Sequence, residues 1–254
     1  MKNIEQKHWD STYRNQEYQI YPRENRVIKF LDEYIPLAAE GEECFEVGCF
    51  PCGFLSYVGL KKKYIVNGID YSDLLCDRTV KWLKKMKVSV GSVKRGNFFE
   101  LCKEEHKKYA LVYSCGFVEH FKDYIKVIKL HDKFVKCGGY LVITAPNYRG
   151  KIMYMLHRFF DYDNLIIHNI ESMNPDEWKE VLEKMNYEIL FSGYFGEFEY
   201  SPSKEMIEKK CLKRYLYRAA EPVIRYLNHT ITRNAPGYSS NCGIVARKKD
   251  RGEI

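Results

Sequence analysis

The chain reads as an α/β protein, one mostly parallel sheet with helices packed on both faces. Three observations predict this. Short apolar runs alternate with segments of helical spacing, the pattern of strands joined by crossover helices. Two of those runs end in a glycine or acidic turn, where an open parallel sheet places its ligands. The 254 residues are 45% hydrophobic and 15% aromatic, enough to bury a substantial core and to exclude a disordered chain.

Residues 24–36 put Val27, Ile28, Leu31, Tyr34 and Ile35 on one helical face. Residues 44–47 form a short buried strand stopped by Gly48, and helical residues follow to about Lys62. Residues 64–70 make a second strand, and a helix with Ser72 as N-cap runs to Met86. Residues 109–115 are an apolar strand. Residues 117–137 have helical spacing and stop at Gly138-Gly139, which lead into the clearest strand, 140–146. Residues 147–174 break the alternation and are rich in aromatics and histidine, so they read as an insertion. A helix then starts at Asn174-Pro175, with proline at N1. Residues 187–195 and 242–248 are two late strands, separated by a basic amphipathic helical element, 203–228. All of 1–254 forms a single domain, in which residues 1–36 lie ahead of the first strand.

Composition narrows the function. No run of about 18 apolar residues occurs, so no transmembrane helix is expected. The first residues show no apolar export segment, so a cytoplasmic location is expected. Nine cysteines, an odd number irregularly spread, read as free thiols in a reducing compartment. Against 34 Asp+Glu stand 41 Lys+Arg, a net charge of +7 that permits an anionic partner without demanding one. Part of the excess is local: Lys204, Lys209, Lys210, Lys213, Arg214 and Arg218 face only Glu205 and Glu208. Such a run is most simply a solvated face; its functional readings are an acidic or phosphorylated acceptor, or an anionic membrane surface. No RNA-binding module is visible, and nucleic acid is not an expected partner. A homo-oligomer is compatible with the sequence.

The first strand ends in Glu46-Val47-Gly48-Cys49-Phe50-Pro51-Cys52-Gly53. A glycine turn lets backbone N–H groups approach a ligand because no Cβ intervenes. Glu46 beside it disfavours a pyrophosphate and suits a cationic or amine-bearing ligand. Asp70 ends the second strand, 22 residues after Gly48, the separation at which an acidic side chain accepts from both ribose hydroxyls; the plainer reading is a helix cap. Cys49 and Cys52 also form a CxxC between strand and helix, so a thiol-redox protein is a rival of another class. Half a zinc site is a further reading, but no second cysteine or histidine pair completes it. A nicotinamide site would want Gly-x-Gly-x-x-Gly, which is missing.

These turns, followed in order by 113–121 and 138–147, resemble the class I S-adenosylmethionine-dependent methyltransferase family in its small-molecule branch. The likeness runs from Cys44 to Lys248 and extends more weakly to bacterial glycan-modifying members. It implies a Rossmann-like, seven-stranded sheet with an antiparallel last strand, and S-adenosylmethionine as cofactor. Glu46 and Gly48, with Cys49 and Phe50, match the opening that lies against the methionine part. Asp70 matches the ribose ligand, and Tyr71 would flank the adenine. Asn97-Phe98 matches a loop that reads the adenine amino group, where the asparagine oxygen still accepts. Ser114 and Cys115 would stand beside the sulfonium. N-terminal helices within 1–36, with Trp9, Tyr18 and Tyr21, would cover the cofactor with aromatic faces, and 147–174 would form an acceptor lid. Two departures stand out: Phe50 replaces the second glycine, and Cys52 precedes Gly53 where the next one belongs.

Methyl transfer needs a nucleophile about 3–3.5 Å away on the displacement axis. A hydroxyl acceptor must also lose its proton, for which histidine suits neutral pH. His120 is the first candidate base and His168 the second, with capping or a loop network as the plain alternatives. Asn147 and Asn169 in the lid region, and Tyr194 in the late strand 187–195, are candidate acceptor contacts, with His120 and His168. His8, His106, His131 and His229 sit in surface-like contexts. The acceptor expected is a polar small molecule methylated on oxygen, such as a sugar, nucleotide-sugar or surface-polysaccharide unit. N-methylation of an amine, or a non-catalytic cofactor-binding regulator, are the alternatives. No carboxylate triad is visible, so metal independence is expected.

Overall fold

A computed structural model describes residues 10, 13–14, 18–104, 107–208 and 211–250. Helix α1 (Arg26–Tyr34) begins on Asn25, whose side-chain oxygen accepts from the N–H groups of Val27 and Ile28 at 3.0 and 3.1 Å, the device that satisfies a helix start. Strand β1 (Glu43–Val47) leads into α2 (Gly53–Tyr57), continued by a π-turn over Val58–Lys62. Then follow β2 (Ile65–Asp70), α3 (Asp77–Lys85), β3 (Val90–Arg95), α4 (Phe98–Leu101) and β4 (Tyr109–Cys115). Helix α5 (Tyr124–His131) crosses to β5 (Val135–Pro146). The lid region holds α6 (Lys151–Phe160) and α7 (Tyr162–Leu165). Helix α8 (Pro175–Lys184), β6 (Tyr187–Phe198), α9 (Lys204–Glu208), α10 (Leu212–Thr230) and β7 (Ser239–Lys248) complete the chain.

The strands form one sheet in the order β3-β2-β1-β4-β5-β7-β6. Pairs β1–β2, β1–β4, β2–β3 and β4–β5 are parallel, and β7 is antiparallel to both β5 and β6. This is the α/β, Rossmann-like methyltransferase architecture expected. The central strands are covered on both faces, so they read as unbroken apolar runs: Leu111, Val112 and Tyr113 are fully buried, as are Leu141, Val142 and Ile143. Chain order reverses between β1 and β4, and the crevice at their carboxyl ends is the switch point where such sheets bind ligands. Among the described residues no helix is long and apolar enough to cross a membrane.

Four local expectations change. Ser72 does not cap a helix. Its hydroxyl donates to Asp10 Oδ1 at 2.7 Å and accepts from the Leu74 N–H at 3.2 Å, holding a turn, and α3 begins at Asp77. The helix after β4 stops at His131 rather than at the glycine pair, because Phe134 and Val135 tuck into the core. The pair instead lies in a bulge of β5: Val135 pairs with Tyr109, whereas Tyr140 pairs with Leu111. Strand β3, an edge strand with only Val93 buried, is too polar to stand out by its own pattern. His131 is wholly buried, not superficial; its Nδ1–H donates to the Val127 carbonyl at 2.8 Å.

Candidate active site

A cavity of about 790 Å³ opens at the switch point, within the range of small-molecule sites. Backbone geometry builds one half of it. Gly48 leaves β1 with φ +75°, a conformation that favours glycine. A Cβ there would stand 2.9 Å from the Phe117 ring. Asp70 links two turns: the Phe50 N–H donates to its Oδ2 at 3.0 Å and the Ser72 N–H to its Oδ1 at 2.8 Å. Burial pushes the Asp70 carboxyl up, opposed by those backbone donors. Asn97 accepts from the Phe99 N–H at 2.9 Å and so caps α4 while lining the cavity.

Glu46, only 2% exposed, also lines this half. Burial drives its carboxyl well above the usual range, although the Tyr113 hydroxyl donates to it at 3.1 Å. A buried carboxylate without a counter-charge is costly, so the pocket is suited to a cationic ligand. Gly48, Cys49, Phe50, Tyr71, Phe98 and Cys115 line the same space. Ser114 does not: it is wholly buried and absent from the lining. Tyr21 covers the start of α2, packing edge-on against Phe54 at 4.6 Å, and burial pushes its hydroxyl up to about 12. Gly53 makes that cover possible, since a Cβ there would lie 2.5 Å from the Tyr21 ring. Tyr18 stacks on Trp82 at 5.4 Å, outside the lining. Trp9 lies outside the described residues.

The CxxC does not have the electrostatics of a redox site. Cys49 is buried and its thiol is pushed well above the ordinary range by burial and by Cys52. Reactive dithiols need the reverse.

The other half of the cavity is assembled from side chains. His120 lines it between Phe117 and Phe121, following β4 in a 3₁₀ turn over Val118–His120. His168, from the lid, is not among the residues that line the cavity; its ring packs 4.8 Å from that of His120. Its Nδ1–H donates to the Asn164 carbonyl at 2.7 Å, which fixes the tautomer and leaves the lone pair on Nε2. The lid is held there by Asn169, whose backbone N–H donates to the Glu119 carbonyl at 2.7 Å and whose amide donates to the Phe121 carbonyl at 3.0 Å. Asn169 therefore positions the lid through internal bonds.

Asn147 and Tyr194 stand apart from the cavity. Asn147 is wholly buried, and its side chain donates to the Pro236 and Ser239 carbonyls and accepts from the Gly150 N–H. Those bonds occupy both ends of its amide, so it organises the lid's first turn. Tyr194 packs against the core on β6.

Sequence reasoning missed Glu119. It is 1% exposed, and its Oε2 has no hydrogen-bond partner among the described residues. Burial pushes its carboxyl up to about 8. The signal was a charged residue inside the apolar, aromatic run Phe117–Phe121. Tyr13, which packs edge-on against Phe50 at 5.4 Å and lines the cavity with Asp10, was also missed. Lys213 and Arg218 of the basic stretch are exposed, Arg214 is half-buried, and Lys209 and Lys210 lie outside the described residues.

Comparison with known proteins agrees with this geometry. A family model described as a methyltransferase domain matches residues 18–191. A crystal structure of an S-adenosylmethionine-dependent methyltransferase from Archaeoglobus fulgidus superposes with TM-score 0.56 at 22% identity, covering 95% of this chain and 98% of that one. Phosphoethanolamine N-methyltransferase 2 from Haemonchus contortus gives 0.57 at 14% identity, over 96% of this chain and 57% of that one. Geranyl diphosphate C-methyltransferase from Streptomyces coelicolor gives 0.56 at 15%, over 87% and 77%. No curated protein matches the chain by sequence.

Proposed function

The chain belongs to the methyltransferase-domain family and is an S-adenosylmethionine-dependent methyltransferase; from this premise we propose that it methylates a hydroxyl oxygen of a polar small molecule in the cytoplasm. A sugar, nucleotide-sugar or surface-polysaccharide unit is the acceptor class preferred.

The residues present fit the cofactor. The Gly48 turn removes a Cβ that would meet Phe117, and Asp70 offers carboxylate oxygens at the end of β2 for the ribose hydroxyls. Glu46 supplies a buried negative group for a ligand that carries ammonium and sulfonium charge. Asn97, Phe98 and Tyr71 border the adenine end in this reading, and Tyr13 and Tyr21 close over the top.

When bound, the cofactor supplies an electrophilic methyl group. The chain must align the acceptor, exclude water and take a proton. Phe117 and Phe121 give an apolar wall beside His120 against which the acceptor would be oriented. One imidazole of the His120–His168 pair would accept the proton of the acceptor hydroxyl as that oxygen takes up the methyl group. His120 is the nearer candidate because it lines the cavity; this single placement carries the reading. General-base assistance of this kind is worth about 10²–10⁴-fold.

The experiment is a screen of cell-extract acceptors with a labelled methyl donor, followed by product analysis. A methyl ether product, with label lost in His120→Ala or His168→Ala, supports the reading. A methylamine product, or label undiminished in both variants, contradicts it.

A further inference from the structure

We propose that Glu119, His120 and His168 form a binding site for one first-row divalent cation at the acceptor end of the cavity. Sequence inspection foresaw no such set because its members come from two separate elements: the turn after β4 and the lid. The fold brings one ligating atom from each residue to within 4.8 Å of the others. Donors about 2 Å from a common ion stand roughly 3–3.5 Å apart, so side-chain adjustments of about 1 Å complete the set.

Three further observations support a cation there. Glu119 is 1% exposed, and its Oε2 lacks a hydrogen-bond donor among the described residues. A carboxylate so placed calls for a positive charge. The Nδ1–H of His168 is committed to the Asn164 carbonyl, the second-shell contact that orients a ligating imidazole and directs Nε2 to a metal. The lid that carries His168 is pinned to the Glu119 and Phe121 carbonyls by Asn169, so the third ligand is held against the other two.

Two imidazoles and one carboxylate suit zinc, cobalt, iron or nickel better than magnesium, which prefers an all-oxygen shell. Three protein ligands leave positions open on the ion, and His120, the one of the three that lines the cavity, places them at its wall. Those positions would hold an acceptor with one or two oxygens, which deepens the proposed O-methylation and rests on it only for the acceptor. In the metal-loaded form the ion acidifies a bound hydroxyl in place of an imidazole base.

The test uses the full chain, stripped with chelator and titrated with Co²⁺, whose visible absorption reports coordination. One Co²⁺ per chain, displaced by Zn²⁺ and weakened at least tenfold in both Glu119→Gln and His168→Ala, is the expected result. His229→Ala, on exposed α10, leaves it unchanged. No Co²⁺ absorption, or binding that persists in both variants, overturns the site. S-adenosylmethionine binding measured on the same metal-free samples shows that the variants are folded. It also separates the two claims: cofactor binding without metal binding removes the site alone, and metal binding without cofactor binding removes the methyltransferase reading alone.

Discussion

The two halves of the cavity are built in different ways. The half assigned to the cofactor is made by consecutive residues at the ends of β1, β2 and β3, largely through backbone. Gly48 at φ +75° opens the turn, and Asp70 ties it to the next one through the Phe50 and Ser72 N–H groups. The half assigned to the acceptor is made by side chains: Phe117, His120 and Phe121 after β4 line it, and His168 comes from the distant lid to pack beside His120. The first is set by local turns, the second by tertiary packing. A sequence motif can therefore announce the cofactor while leaving the acceptor unspecified.

The largest expected effect breaks the halves apart. His120→Ala should lower turnover on the identified acceptor by about 10²–10⁴-fold while leaving the cofactor dissociation constant unchanged in a calorimetric titration. A parallel loss of cofactor affinity would show that the halves are one unit.

Asp70→Ala should do the reverse. Cofactor at a hundredfold excess over its dissociation constant stabilises the wild-type protein by about 2.7 kcal/mol, a rise in Tm of roughly 5–10 °C for a chain of this size. The rise should vanish in Asp70→Ala and persist in His168→Ala, as read by differential scanning calorimetry.

A third histidine sharpens the contrast. His131 packs against Phe98 and Phe117 at 5.1 and 6.0 Å, two residues that line the cavity. Burial lowers its pKa to about 4, despite the bond to the Val127 carbonyl. Its unfolded value is about 6.5, so the native state binds fewer protons between these limits. Stability is full above about pH 6.5 and falls as pH drops toward 4, by up to about 3 kcal/mol. His131→Phe should flatten this acid limb in urea melts and leave activity at neutral pH unaltered.

The smallest effect concerns the cover. A Cβ at Gly53 would stand 2.5 Å from the Tyr21 ring, and such overpacking costs about 1–3 kcal/mol. Gly53→Ala should weaken cofactor binding in fluorescence titrations. Adding Tyr21→Ala should cost less than the sum of the single changes, because the clash is already gone.

Much of the fold was legible because the buried strands leave unbroken apolar runs in the sequence, as at 109–115 and 140–146. Strand β3 was not, since an edge strand carries Lys94 and Arg95 facing solvent. Neither was the true end of α5, where Phe134 and Val135 leave the helix for the core although the helical spacing continues past them. In the site, Glu46, Gly48, Asp70 and Asn97 were legible because strand ends and turns dictate their places. Glu119 was harder to read: its place inside the aromatic run Phe117–Phe121 hints at burial, but the linear sequence does not tell that it meets two imidazoles. Asn147 looked like an acceptor contact, but its amide is spent on the Pro236, Ser239 and Gly150 backbone, partners some ninety residues away for two of the three.

The most direct measurement is calorimetric titration of the wild-type protein with S-adenosylmethionine and its demethylated product. Binding of one molecule per chain with micromolar affinity, lost in Asp70→Ala, is the predicted result. The absence of binding by both ligands to the folded wild-type protein would contradict the assignment of this cavity.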